Sequence, residues 1–383
     1  MFENYYFGGV RMKTLLLGGD VWFADRTVKK DCAVLWEDGT ILAVGDACNG
    51  VMPDHIVNAT GMTVIPGLID VHTHGRAGYD FCTANVEEMK KMKLDYACHG
   101  VTSVFATLAS GTVEEWTRAI RNIQAAGFEG IHFEGRYLNF QKRGAHAAEL
   151  LAKPNAAELE EFLKQIDIPC HVSAAFELDE DGSFAETARR YGATMGLGHT
   201  AATAEQTRVA IERGVRSFTH LYNAMPPLHH REAGPVGVAF CGGGYGELIV
   251  DGMHICPEMV ALAYKCLGED RTVLITDSME GTGCPDGTYS IAGQPVYLKD
   301  GRAVTGDGAL AGSTLDLWDG VKNLMKFAGA SFADAVACAT VNPARMVGID
   351  KTVGSIEAGK RADLLLIDDC MDIAIIYNGG ELV

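Results

Sequence analysis

A chain of 383 residues with 48% apolar and 21% charged side chains can bury a large core, which excludes a disordered chain. Its 32 Lys+Arg against 50 Asp+Glu leave a formal charge of −18, which argues against nucleic acid or an anionic membrane surface as a partner. No apolar run approaches the roughly 18 residues that would cross a bilayer. From Lys13 to about Val64 the text is short and β-favouring: TLLLGGDVWFA, CAVLWEDGTILAVGD and HIVNATGMTVIPG, with EDGT as a hairpin signal because Asp-Gly readily takes positive φ. The segment before it, MFENYYFGGVRMK, has no basic stretch leading into an apolar one, so no secretory signal is expected. The eleven cysteines are scattered and form no C-x-x-C, as reduced thiols of a cytoplasmic protein do.

From Pro66 to about Asp350 the pattern changes to buried strands alternating with helices. The strand candidates are GLIDVHTHG, GVTSVFATLAS, EGIHFEG, IPCHVSAAFE, GATMGLGHT, GVRSFTHLYNAM, GELIVDGMHI and RTVLITDSM, separated by helical text such as TVEEWTRAIRNIQAAG. This succession predicts a (β/α)8 TIM-like barrel; a doubly wound sheet is disfavoured because no G-x-G-x-x-G follows the first strand. GTYSIAGQPVYLKDGRAVTGDG reads as a hairpin insertion at about 285–308, and VGSIEAGKRADLLLIDD with MDIAIIYNGGELV returns to strand and turn. The expected organisation is a small β-sandwich built from residues 1–65 and 351–383 around a barrel of residues 66–350.

The strand ends carry the chemistry. His72 and His74 close the first strand, Glu134 the third, His199 the fifth, His220 the sixth, His254 the seventh and Asp277 the eighth. In a parallel barrel these ends share one face, and residues i and i+2 of a strand point the same way, so His72 and His74 can both enter the mouth. Imidazoles and carboxylates together form a ligand set for zinc or iron, which points to a hydrolytic metal centre. Each residue alone has a plainer reading as a hydrogen-bonded polar group at a rim; the coincidence across separate strands carries the argument. His132 reads as a packed histidine deeper in the barrel, Glu177 as structural, and His55 and His99 as ordinary loop and helix-end residues.

PGLIDVHTHG and GSIEAGKRADLLLID resemble the opening and closing segments of the amidohydrolase superfamily. HFEGRYLN, GHT, THLYNAM with REAG, DGMH, LITDSMEGTGCPDGTY and LAGSTL resemble the N-acetylglucosamine-6-phosphate deacetylase family in order and spacing, along nearly the whole chain. The resemblance implies that Glu134, His199 and His220 are the principal metal ligands and Asp277 the catalytic acid/base. His72 and His74 match a second metal position, so one or two divalent ions are expected. Ala145 and His146 match sugar contacts, and Asn223 and Ala224 match substrate contacts. His254 and the Leu310-Ala311-Gly312 turn match the pocket around the sugar and its acyl group. Arg231 matches the arginine that binds the 6-phosphate, often across a homodimer interface; a guanidinium suits a phosphate on so acidic a chain.

The implied substrate is a phosphorylated N-acetyl amino sugar, glucosamine or galactosamine, whose acetamide is hydrolysed. Two departures stand out. Arg136 occupies the place where the family usually has Pro after Glu-Gly, and Glu280 stands where many members carry a basic or small residue. Arg136, close to the ligand segment, could alter the charge of the centre, the loop or the substrate preference. Superfamily members that use a carboxylated lysine fit poorly, because the middle strands end in Glu134 and Glu177 and no lysine. A non-catalytic scaffold would have lost ligand positions, and none is lost here.

Overall fold

A computed structural model of the chain describes residues 12–383. Residues 1–11, which open the expected β domain and hold most of the segment read for a signal, lie outside the described residues. The chain divides into one unit running to Gly67 and resuming over Asp350–Val383, and a second spanning Leu68–Ile349.

The first unit is one mixed sheet of eight strands drawn from both ends of the chain. Its long strand Lys13–Trp22 pairs antiparallel with Val28–Glu37, and parallel with His55–Asn58 and then Thr63–Pro66. The EDGT segment forms the expected hairpin: Asp38 and Gly39 take φ of 48° and 74°, the paired left-handed turn whose twist matches the flanking strands. That turn bonds to the C-terminal part of the chain, with Ile41 N donating to Lys360 O at 2.8 Å and Ala362 N to Gly39 O at 2.7 Å. The sheet thus folds over one apolar core in which Leu16, Val34, Trp36 and Val64 pack with Leu364 and Leu366.

The second unit is the barrel. Eight parallel strands run in chain order: Leu68–Thr73, Val101–Leu108, Gly130–Glu134, Cys170–Ala174, Thr194–Leu197, Ser217–Phe218, Tyr245–Leu248 and Thr272–Leu274. Nearly every residue in them is buried, as strands covered on both faces require. The helix Val113–Ala126 illustrates how the outer layer is specified. Thr112 and Glu115 form a reciprocal capping box, Gly127 ends the helix in the left-handed conformation, and Trp116, Ala119, Ile120 and Ile123 give it one buried stripe. The first and last barrel strands meet at their C-terminal ends, where Asp277 N donates to His72 O at 2.8 Å and His74 N to Ser278 O at 2.7 Å.

Two differences from the sequence reading bear on the site. The later strands are shorter than their apolar text: the sixth is two residues long, and His199, His220, His254 and Asp277 lie beyond the strand ends in the loops. Backbone conformation accounts for three of these: His199, His220 and Asp277 have φ of 45°, 33° and 50°, and a left-handed residue cannot continue a strand. The insertion is a three-stranded antiparallel meander, Gly287–Ile291, Gln294–Lys299 and Arg302–Thr305, rather than a simple hairpin.

Candidate metal centre

Glu134 ends the third barrel strand and is 2% exposed. Its two carboxylate oxygens face different partners. Oε1 lies 3.0 Å from His199 Nε2 and 2.8 Å from His220 Nε2. Oε2 lies 3.0 Å from His74 Nε2 and 3.3 Å from His72 Nε2, and Asp277 Oδ1 closes that side at 3.2 Å and 3.4 Å from the same two nitrogens. One carboxylate therefore joins two groups of ligand-type atoms.

The left-handed backbone at His199, His220 and Asp277 costs about 1–3 kcal/mol per residue and persists only where neighbours enforce it. Each is enforced. Asn139 N donates to His199 O at 2.9 Å, and the residues that follow His199 are gripped by Glu177, which accepts from Thr200 Oγ1 at 2.6 Å and Ala201 N at 2.7 Å. Leu221 N, next to His220, donates to Glu247 O at 2.8 Å. Asp277 is held through its own N–H and through Ser313 N, which donates to Asp277 O at 2.7 Å. Gly312 precedes that donor with φ of 67°, and a Cβ there would come within 3.0 Å of Met279 Cβ.

The donor set fits a divalent cation. His199 Nε2 and His220 Nε2 are 3.0 Å apart, and His72 Nε2 and His74 Nε2 are 3.4 Å apart. Two facing lone pairs at such distances repel unless a proton or a cation lies with them. The outer nitrogen of His199 is 2.7 Å from Lys142 O, which favours N–H there and leaves Nε2 as the inward donor. Burial opposes charge on His74, but its hydrogen bonds to Asp277 and Glu134 raise it to about 9. Glu134 sits well below the usual carboxylate range: burial pushes it up, and the imidazoles of His72 and His199 outweigh that.

A cavity of about 150 Å³ opens onto this cluster. His74, Glu134, His199, His220 and Asp277 line it, as do Ala145, His146, Asn223, Ala224, His254 and the Leu310, Ala311 and Gly312 turn. His72 lies fully buried beneath. His146 Nδ1 is 2.9 Å from Ser110 Oγ, and burial lowers His146 to about 4. His254 Nδ1 is 2.7 Å from Asp251 Oδ2, whose carboxylate also caps the loop by accepting from Met253 N and His254 N. Arg231 is not among the lining residues of the single chain; it is exposed, with Nη1 2.7 Å from His230 Nε2.

The amidohydrolase family matches residues 63–380. The chain belongs to that family. As an amidohydrolase it is a hydrolytic enzyme, and two curated relatives are named as deacetylases of phosphorylated N-acetyl amino sugars. It is 33% identical over 358 residues to the N-acetylgalactosamine-6-phosphate deacetylase of Escherichia coli O157:H7, covering 90% of this chain and 93% of that one. It is 32% identical over 384 residues to the N-acetylglucosamine-6-phosphate deacetylase of Vibrio furnissii, covering 96% and 93%. Its fold superposes, with a TM-score of 0.89, 29% identity and coverage of 98% and 99%, on the N-acetyl-D-glucosamine-6-phosphate deacetylase of Mycobacterium smegmatis, solved as an Asp-to-Ala mutant in complex with N-acetyl-D-glucosamine-6-phosphate.

Within this amidohydrolase the departures resolve locally. Arg136 does not reach the carboxylates of the centre: Nε and Nη2 donate to the two oxygens of Glu158 at 3.0 Å and 2.8 Å, and Nη1 donates to Gly111 O. Its φ of 53° is one that proline cannot adopt. Glu280 ties the insertion down by accepting from Ser290 N and Ser290 Oγ. His132 is fully buried, with Nδ1 3.1 Å from Thr107 Oγ1 and Nε2 2.7 Å from Ser173 Oγ. Gly144 and Ile291 also line the cavity. The sequence carried no signal for Ile291, an apolar residue in an alternating strand whose inner face is set by how the insertion docks. Glu177 has the structural place expected of it: it holds the loop that carries His199.

Proposed function

We propose that this amidohydrolase removes the acetyl group of N-acetylglucosamine 6-phosphate, giving glucosamine 6-phosphate and acetate. The observation that supports it best is the double face of Glu134: four imidazoles converge on one carboxylate at the base of a small cavity, and Asp277 closes on two of them. Glu134, His199 and His220 would hold one divalent ion, zinc or iron. His72, His74 and Asp277, with Glu134, would hold a second. Such ions supply electrophilic polarisation of the acetamide carbonyl and lower the pKa of water toward neutrality.

The chain's own residues do the rest. The carboxylate of Asp277 accepts the proton of the attacking water and returns it to the departing nitrogen, because an amide anion leaves poorly. His254, oriented by Asp251, and His146, oriented by Ser110, present ring edges to the sugar in the cavity. Ala145, Asn223, Ala224 and the Leu310-Ala311-Gly312 turn bound the sugar and acyl group. Arg231 would clamp the 6-phosphate of a substrate bound in a partner subunit of a homodimer, which fits its exposure away from its own cavity. Eleven free thiols support a cytoplasmic setting.

The second reading is the galactosamine epimer as substrate, favoured by the 33% identity to the Escherichia coli enzyme. One experiment tests both. Purified protein of measured metal content is challenged with the 6-phosphates of N-acetylglucosamine and N-acetylgalactosamine and with both unphosphorylated sugars. Acetate release from a phosphorylated sugar, lost on chelation and restored by zinc or iron, is the expected result. Full activity without metal, or none on either phosphate, overturns the proposal.

A further inference from the structure

Beneath the metal-ligand cluster lies a carboxylate that the chemistry above does not use. Glu247, on the seventh barrel strand, is fully buried inside the barrel. A carboxylate withdrawn from water is costly unless positive or N–H groups face it. Neither of its oxygens has a hydrogen-bond partner among the described residues. Two imidazoles flank it: His171 Nε2 at 3.6 Å from Oε1, and His72 Nδ1 at 3.9 Å from Oε2.

The two neighbours differ in what else they have. His171 is satisfied elsewhere, with Nδ1 2.8 Å from Thr194 Oγ1 and Nε2 3.4 Å from Ser217 Oγ. His72 Nδ1 is buried with no hydrogen-bond partner, and Glu247 Oε2 is the carboxylate oxygen it faces. The other nitrogen of the same ring, Nε2, is the one that points at Glu134 and Asp277. The backbone of Glu247 serves the same cluster, since its carbonyl accepts from Leu221 N beside His220.

We propose that Glu247 is a positioning residue for the metal centre. Its carboxylate, 3.9 Å from His72 Nδ1, attracts the ring proton to that nitrogen, which keeps Nε2 as the inward donor and makes that donor more basic. It acts on His72 across a longer gap in the sense in which the Lys142 carbonyl acts on His199 at 2.7 Å. This inference rests on the reading of the cluster as a metal site and extends it to the barrel floor.

The test is a double-mutant cycle on zinc affinity, measured by chelator competition on the full-length protein: wild type, Glu247→Gln, His72→Asn and the double variant. Glu247→Gln is expected to weaken one zinc ion by about 10–100-fold, and to add little once His72 is replaced. Equal losses in both backgrounds would assign Glu247 a merely structural role and overturn the inference. A second readout needs no Glu247 variant. In zinc-loaded wild type labelled with ¹⁵N-histidine, the Nδ1–H of His72, assigned by its loss in His72→Asn, should resonate downfield and exchange slowly. An ordinary, fast-exchanging N–H overturns the inference even if Glu247→Gln does not fold. Wild type that binds no zinc sinks the metal-site reading as well, whereas zinc binding indifferent to Glu247→Gln sinks this inference alone.

Discussion

The two faces of Glu134 are built in different ways. On the Oε2 face, His72 belongs to a strand and His74 follows it directly, two residues apart, with His74 N tied to Ser278 O. On the Oε1 face, His199 and His220 both come from left-handed residues beyond short strands. Nothing in a strand ladder places those two rings. Side chains and loop carbonyls do so: Glu177 and Lys142 for His199, and the seventh strand for the turn after His220. The imidazoles of one face come from a strand and its immediate end and those of the other from clamped loops, so damage to the clamps of His199 should be felt on the Oε1 face.

Glu134→Ala is expected to erase the distinction. Both faces lose their shared oxygen donor, and metal analysis should find neither ion retained after dialysis, with no measurable turnover. Retention of one ion per chain would mean that the faces are independent sites. Asp277→Asn separates the chemistry from metal binding on the Oε1 face. Metal on the Oε1 face should stay, while kcat falls by about 10²–10⁴-fold, the usual contribution of a general acid–base group. Near-normal turnover in that variant would remove Asp277 from its role.

Glu177→Gln and His74→Asn are the matched pair. Glu177→Gln exchanges a carboxylate for an amide that cannot accept all of the present donors, so it should weaken the His199 side by about 10–100-fold and spare the other ion. His74→Asn should do the converse; stepwise zinc titration distinguishes them, and a loss shared equally by both ions in both variants would refute the comparison. Arg231→Ala touches neither face. It should raise KM about tenfold for the phosphorylated sugar only, in line with the loss of one charge-assisted hydrogen bond. Equal effects on phosphorylated and unphosphorylated sugars would count against a phosphate clamp.

Much of the architecture is legible in the sequence. Parallel strands covered on both faces are near-continuous apolar runs, and each such run here ends in a polar residue at the open rim, which is why the TIM-like barrel and its ligand-type residues could be read together. The EDGT hairpin was legible for the same kind of local reason, since two adjacent residues alone determine its turn. The strand ends are less legible: the segments read as strands run on to His199, His220 and Asp277, whereas the strands stop at Leu197, Phe218 and Leu274 and the backbone turns left-handed at those three residues, held by groups distant in the chain. Arg136 shows the same limit, because proximity in sequence to Glu134 suggested an effect on the centre, and only the position of Glu158 revealed where its charge goes.

What the sequence determined by itself is therefore local: which segments are strands or helices, which residues end them, and the kinds of donor atoms available at the rim. Tertiary structure alone decided which oxygen of Glu134 faces which pair of imidazoles, that Glu177 grips the His199 loop, that Ile291 reaches the cavity, and that Glu247 lies under His72. The reason is physical. Secondary structure follows from propensities and periodicities between near neighbours, whereas the partner of a buried polar atom depends on how strands remote in the chain come into register around a closed barrel.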